Sequence, residues 1–309
     1  MNRALGALTF ATLLAPIWNP IESSDASSVA PEGAPLEDFH TSNCFDAPRF
    51  AVMTDIPMDP VNVPRPAIDD ETRDRIFSVL EDEYREDMEK EGLQLEIVEA
   101  DSRNFGGFAS REGRRARVEI LKGTRMHRRI TPEAYTLIVC HEIGHHMGGP
   151  PHAADRPWGS VEGQADYHAT LKCWRRVANE LDFIGLADPF TDDDAAIMDL
   201  CEGAMPENLD DRLVCQSGLR ASLKLNRLMA ELRGIPAASI EVGSESPEMV
   251  EKTLETEPSP VCRWETFRRG ALEMPRPDCW FKDSNVKRAS FKGGKPCVTN
   301  CPSPPRSGS

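Results

Sequence analysis

Two histidines four residues apart, with a glutamate directly after the first, leave this 309-residue chain few ways to fold. His141, Glu142 and His145 form an H-E-x-x-H pattern. On a helix, side chains four apart project from one face, so both imidazoles can grip one metal ion. The helix is well marked in the sequence. Thr131 is a cap, Pro132 suits the first helical position, Glu133 favours the positive end of the dipole, and Gly148-Gly149-Pro150-Pro151 ends the run. Tyr135, Leu137, Ile138, Val139 and Cys140 make its turns apolar, which predicts a buried helix. Burying two histidines and a glutamate without partners is costly, and a zinc ion removes that cost. Glu142 stands close enough to take a proton from water at the metal, which is the working pattern of a zinc peptidase. The competing reading is a pair of histidines satisfied within a core beside a surface glutamate.

Zinc at a catalytic site needs a third protein ligand and an open position. Residues 160–174 read as a second helix with Ser160 as its N-cap. Glu162 and Asp166 share a face with Ala165, Ala169 and Cys173, and those small residues permit close packing on the first helix. Glu162 is then the candidate third ligand. Asp166, one turn on, is placed to accept a hydrogen bond from the far nitrogen of a ligating histidine. The alternative is an ordinary acidic helix start, with Glu162 offsetting the dipole.

Together, His141-Glu142-x-x-His145 and Glu162-x-x-Ala-Asp166 resemble the gluzincin metallopeptidases of the HtpX, CAAX-prenyl-protease and Oma type. The resemblance is confined to about 131–173. It implies a zincin-like α+β fold, a small mixed sheet plus active-site helices. It also implies one Zn²⁺ per chain, with Glu162 as third ligand and Asp166 behind a ligating histidine. Pro258-Ser-Pro-Val-Cys-Arg263 is a fainter echo of a His-Pro step with an arginine five residues on, but Glu257 stands where the histidine would be. The interval of 17 residues from His145 to Glu162 leaves no room for the membrane spans that embedded members insert there.

An export signal is expected at the N-terminus. A short basic start ending at Arg3 precedes an apolar run over residues 4–15, too short for a comfortable membrane span, and Ser24-Asp-Ala26 suits cleavage. Nine cysteines, Cys44, Cys140, Cys173, Cys201, Cys215, Cys262, Cys279, Cys297 and Cys301, fit an oxidising compartment, with short links expected between Cys297 and Cys301 or Cys262 and Cys279. Cys140 reads either as a buried thiol or as a tie from the first helix to a neighbour. A net charge of −15 argues against nucleic acid or an anionic membrane surface as partner.

The remaining pattern predicts a signal peptide at 1–26, a proline-rich segment at 27–66, a catalytic domain at 67–240 and a Cys/Pro-rich extension at 241–309. Residues 69–91 read as a charged helix with Ile76, Val79, Leu80, Tyr84 and Met88 inward. Residues 93–98 and 114–121 read as strands, and the resemblance implies that the second borders the cleft and pairs with extended substrate. Phe105-Gly-Gly-Phe108 between them reads as a tight turn, against the alternative of a cleft lip, and the basic stretch 111–129 as a solvated hairpin, against a surface that attracts acidic peptides. Beyond Cys173 the chain reads as largely helical and disulfide-stabilised. Tyr167 and His168 are candidates to stabilise a transition-state oxyanion, against the plainer reading of exposed helix residues. His146 reads as a packing residue and His152 as a loop residue. The whole sequence reads as a secreted or periplasmic zinc metalloendopeptidase acting on protein or peptide, without a stable membrane span, and with Glu142 as general base. The alternative is a disulfide-rich extracellular binding or structural protein with a non-catalytic zinc site. A third reading has the 27–66 segment covering the cleft of a latent enzyme.

Overall fold

A long capped helix is the first helix among the described residues. In the computed structural model, the described residues are 50–51, 66–185 and 191–283. The expected leader, nearly all of the proline-rich segment, and the tail bearing Cys297 and Cys301 lie outside them. Helix α1 (Asp70–Lys90) is capped by Asp69, whose carboxylate accepts the Thr72 N–H at 2.8 Å. It buries Ile76, Phe77, Leu80, Tyr84 and Met88; Phe77 joins the set read from the sequence, and Val79 is only partly buried.

The main sheet has strand order β1-β3-β4-β2. Its strands are β1 (Phe50–Ala51), β2 (Gln94–Ala100), β3 (Gly107–Glu112) and β4 (Arg115–Leu121). β2 runs parallel to β4, while β3 is antiparallel to β4 and to β1. The strand expected over 114–121 therefore does not offer an edge to substrate. Both edges of β4 are hydrogen-bonded within the sheet, and β3, which packs beside the histidine helix, is itself flanked by β1 and β4.

Helix α2 (Lys122–Met126) leads to α3 (Pro132–Met147), which carries both histidines. Thr131 caps α3 by accepting the Ala134 N–H, and Pro132 takes the first turn, as the sequence indicates. Every residue from Ala134 to His146 is buried, because α3 is surrounded by β3, β4 and the helices that follow. A hairpin of β5 (His152–Ala153) and β6 (Arg156–Ser160) delivers the chain to α4 (Glu162–His168). Ser160 is not the N-cap of that helix. It ends β6, and its hydroxyl donates to the Gly149 carbonyl at 2.7 Å. Helix α4 runs through a π-helical stretch, Ala169–Cys173, into α5 (Trp174–Val177). It crosses α3 at Gly144, where a Cβ would stand 2.8 Å from the Ala165 carbonyl oxygen, so the close approach requires glycine.

Helices α6 (Asp192–Ala204), α7 (Leu209–Leu232) and α8 (Pro260–Ala271) complete a mixed α+β body. α8 packs on α4, α7 and the π-helical stretch, so residues beyond 240 border the ligand helices directly. Among the described residues there are three disulfides: Cys140–Cys173, Cys201–Cys215 and Cys262–Cys279. The first resolves the two readings of Cys140 as a tie, joining α3 to the π-helical stretch. No helix among the described residues is long and apolar enough to cross a membrane.

Candidate metal centre

His141 and Glu142 lie in the C-terminal half of α3 and His145 in its last turn, and Glu162 opens α4; all four are buried. His141 Nδ1 lies 2.6 Å from Asp166 Oδ1, and His145 Nδ1 lies 2.8 Å from the Ser160 carbonyl oxygen. Both partners can only accept, so each Nδ1 carries the proton and each Nε2 presents a lone pair. Those two lone-pair nitrogens face each other at 3.1 Å. Glu162 reaches the same point, with Oε2 at 3.5 Å from His141 Nε2 and Oε1 at 3.8 Å from His145 Nε2. A tetrahedral ion with bonds of about 2.0–2.1 Å spaces its ligand atoms roughly 3.3 Å apart. The three residues thus form a buried group that can hold a metal ion. Without a cation the arrangement sets like against like, and Glu162 Oε2 has no hydrogen-bond donor.

Glu142 is fully buried, and neither carboxylate oxygen has a hydrogen-bond partner. Burial, and then the neighbouring Glu162 charge, raises its pKa well above the ordinary carboxylate range. β3 begins at Gly107 against this carboxylate, so the Phe105-Gly-Gly-Phe108 run borders the site and is more than a turn. Burial, with His141 beside it, lowers the proton affinity of His145 well below normal. Burial also disfavours charge on His141, but the Asp166 carboxylate outweighs it and raises that pKa.

Asp166 is itself held by Arg263 from α8. Arg263 Nε donates to Oδ2 at 2.9 Å and Nη2 to Oδ1 at 2.5 Å, a bidentate pair in which both residues are fully buried. Arg263 Nη1 donates to Glu257 at 2.7 Å, and Glu257 also pairs with Arg233. Burial opposes ionisation of Asp166, yet Arg263 and His141 hold its pKa below the usual value. No role for Arg263 was evident from sequence alone, because Glu257 stands where the histidine of the fainter echo would be. In the fold Glu257 is the partner that completes the arginine's ion pairs. The arginine's place five residues after Pro258 was the signal that could have found it.

Tyr167 and His168 do not turn their polar atoms to this centre. The Tyr167 hydroxyl donates to the Met274 carbonyl at 2.6 Å. His168 Nε2 meets the Tyr84 hydroxyl at 2.9 Å in the core against α1. The expected oxyanion role is therefore withdrawn: both lie about 100° or more round the helix from Asp166, on faces packed elsewhere. His146 is a packing residue, stacked on Trp158 at 5.1 Å and accepting from Arg111 Nε at 3.2 Å. Arg111 is thus partly buried against α3 rather than solvated. His152 is exposed in the β5–β6 hairpin.

The chain matches no protein-family model, no curated protein and no solved structure, so the site is read from its own geometry.

Proposed function

We propose that this chain is an exported, zinc-dependent metalloendopeptidase of zincin-like fold, acting on protein or peptide substrates. His141, His145 and Glu162 hold the ion. Zinc bound there supplies Lewis acidity toward a scissile carbonyl and toward water. Glu142 takes a proton from the attacking water and passes it to the leaving amine, a role its raised pKa suits. Asp166, fixed by Arg263, and the Ser160 carbonyl keep both imidazoles in the tautomer whose Nε2 faces the ion. Three buried disulfides support an oxidising destination.

The observation that carries this reading is the unpartnered, buried Glu142 carboxylate beside three converged ligands. A purely structural zinc site closes with four protein ligands and has no use for a buried base, which disfavours the inert-site alternative. The purified protein is expected to cleave an unstructured polypeptide, to stop after chelation, and to resume when one equivalent of zinc is returned. Cleavage that persists in metal-free protein refutes the assignment.

One observation favours a latent form. β1 pairs antiparallel with β3 at Phe108 and Ala109, immediately beside Gly107 and the Glu142 carboxylate. That is the track an extended peptide would take to reach the centre.

A further inference from the structure

Glu162 is the only ligand of the three at the first position of its helix, and no side chain caps that helix. What bears on this turn is Trp280. A Cβ on Gly163 would lie 2.2 Å from Trp280 Cδ2, 2.5 Å from Cγ and 2.6 Å from Cε2, so the indole lies directly against the backbone of the residue after Glu162. Trp280 is fully buried, and its indole nitrogen makes no hydrogen bond. The contact is therefore one of packing, and it leaves α4 no space to shift toward the indole.

Trp280 is itself tied down. Its carbonyl accepts the Leu254 N–H at 2.8 Å, and the Asp278 carbonyl accepts the Val250 N–H at 3.0 Å. The preceding residue, Cys279, is bridged to Cys262. Cys262 in turn precedes Arg263, whose guanidinium grips Asp166. One disulfide thus joins two neighbours of residues that both bear on α4, Trp280 at Gly163 and Arg263 at Asp166. The other bridge of similar span, Cys201–Cys215, links α6 to α7 and lies in a separate apolar cluster.

We propose that Trp280 is a positioning residue for the ligand Glu162, and that the Cys262–Cys279 bridge sets the affinity of the centre for its metal by holding Trp280 and Arg263 in place. This inference rests on the metal centre proposed above, and its test reads metal binding rather than turnover. Zinc affinity is measured by competition with a chelating indicator, on full-length chains shown to melt cooperatively. Trp280→Leu is expected to weaken zinc binding about 10-fold, as loss of a residue that orients a ligand commonly does. Trp280→Phe, which keeps a flat ring against Gly163, is expected to recover most of that loss.

The paired variant Cys262→Ser/Cys279→Ser is expected to weaken binding at least as much. Cys201→Ser/Cys215→Ser opens a loop of 14 residues against 17, so it loses comparable chain stabilisation, yet is expected to bind zinc as the parent does. Wild-type affinity in folded Trp280→Leu overturns the proposal. So does equal weakening by the two serine pairs, since the loss would then follow stability alone. If the paired 262/279 variant does not fold, the two tryptophan variants decide. A parent protein that binds no zinc refutes the metal centre itself, whereas zinc-binding parent and unaffected variants refute only the positioning role.

Discussion

Asp166 and Arg263 form a fully buried ion pair, and such a pair is far costlier to break than to lack. Arg263→Met leaves the Asp166 carboxylate without its bidentate donor. Equilibrium urea unfolding is expected to show a loss of about 3–5 kcal/mol. Arg263→Lys is expected to recover only part of it, because an ammonium cannot make the two parallel bonds. A loss below about 1 kcal/mol would show that the pair is not structurally important. The convergence of His141, His145 and Glu162 was legible in the sequence, because two of the ligands share one helical period and the third opens a helix with a small-residue face. Arg263 was not, since its role depends on tertiary packing that brings it to Asp166 across 97 residues of chain.

Helices announced themselves through their ends. Thr131-Pro132 before α3 and Asp69 before α1 are local signals, because capping depends on residues three apart. The π-helical stretch after α4 carries no such signal, and Ser160 looked like a cap while serving as the end of a strand. Strand pairing was less legible still. Residues 114–121 show the right pattern for β4, but no local feature says that β2 and β3 flank it. The pairing of β1 with β3 was wholly non-local and makes its own expectation. Proline at residue 50 or 51 removes a backbone donor, so one of Phe50→Pro and Ala51→Pro must lose any ladder bond that β1 donates to β3. One hydrogen bond is worth about 1 kcal/mol, which is roughly fivefold in the population of an unblocked edge. Peptide cleavage by the full-length variant is expected to rise by about that factor. Unchanged rates in both variants would remove the latent form.

Over the whole molecule, the expected export signal and the cysteine count pointed to an oxidising setting, and the six described cysteines are all paired. The mixed architecture was legible from alternating patterns, whereas the packing of α8 into the centre was not, because it depends on contacts far apart in sequence. Burial also makes the fold sensitive to acid. Burial, and then nearby Lys172, pushes the His168 pKa down to about 3; burial and then Arg111 do the same for His146. The unfolded chain takes up these protons near pH 6.5, while the folded chain resists until about pH 3. Stability is therefore full above pH 6.5 and falls as the pH drops from there toward 3. The slope is at most about 1.4 kcal/mol per unit for each histidine. Chelator-treated protein, melted at pH 7.5, 5.5 and 4.5, should show the decline, and His168→Gln should flatten it. An identical slope in that variant would mean that His168 titrates normally in the fold.

Glu142 is proposed as the base beside a metal held by other residues. Glu142→Gln keeps the size of the side chain and cannot accept the proton. Cleavage of an unstructured polypeptide by parent and variant, compared at equal zinc content, is the direct measurement. Zinc content is expected to be unchanged and the rate lower by about 10²–10⁴-fold. Equal rates at equal zinc content would contradict it.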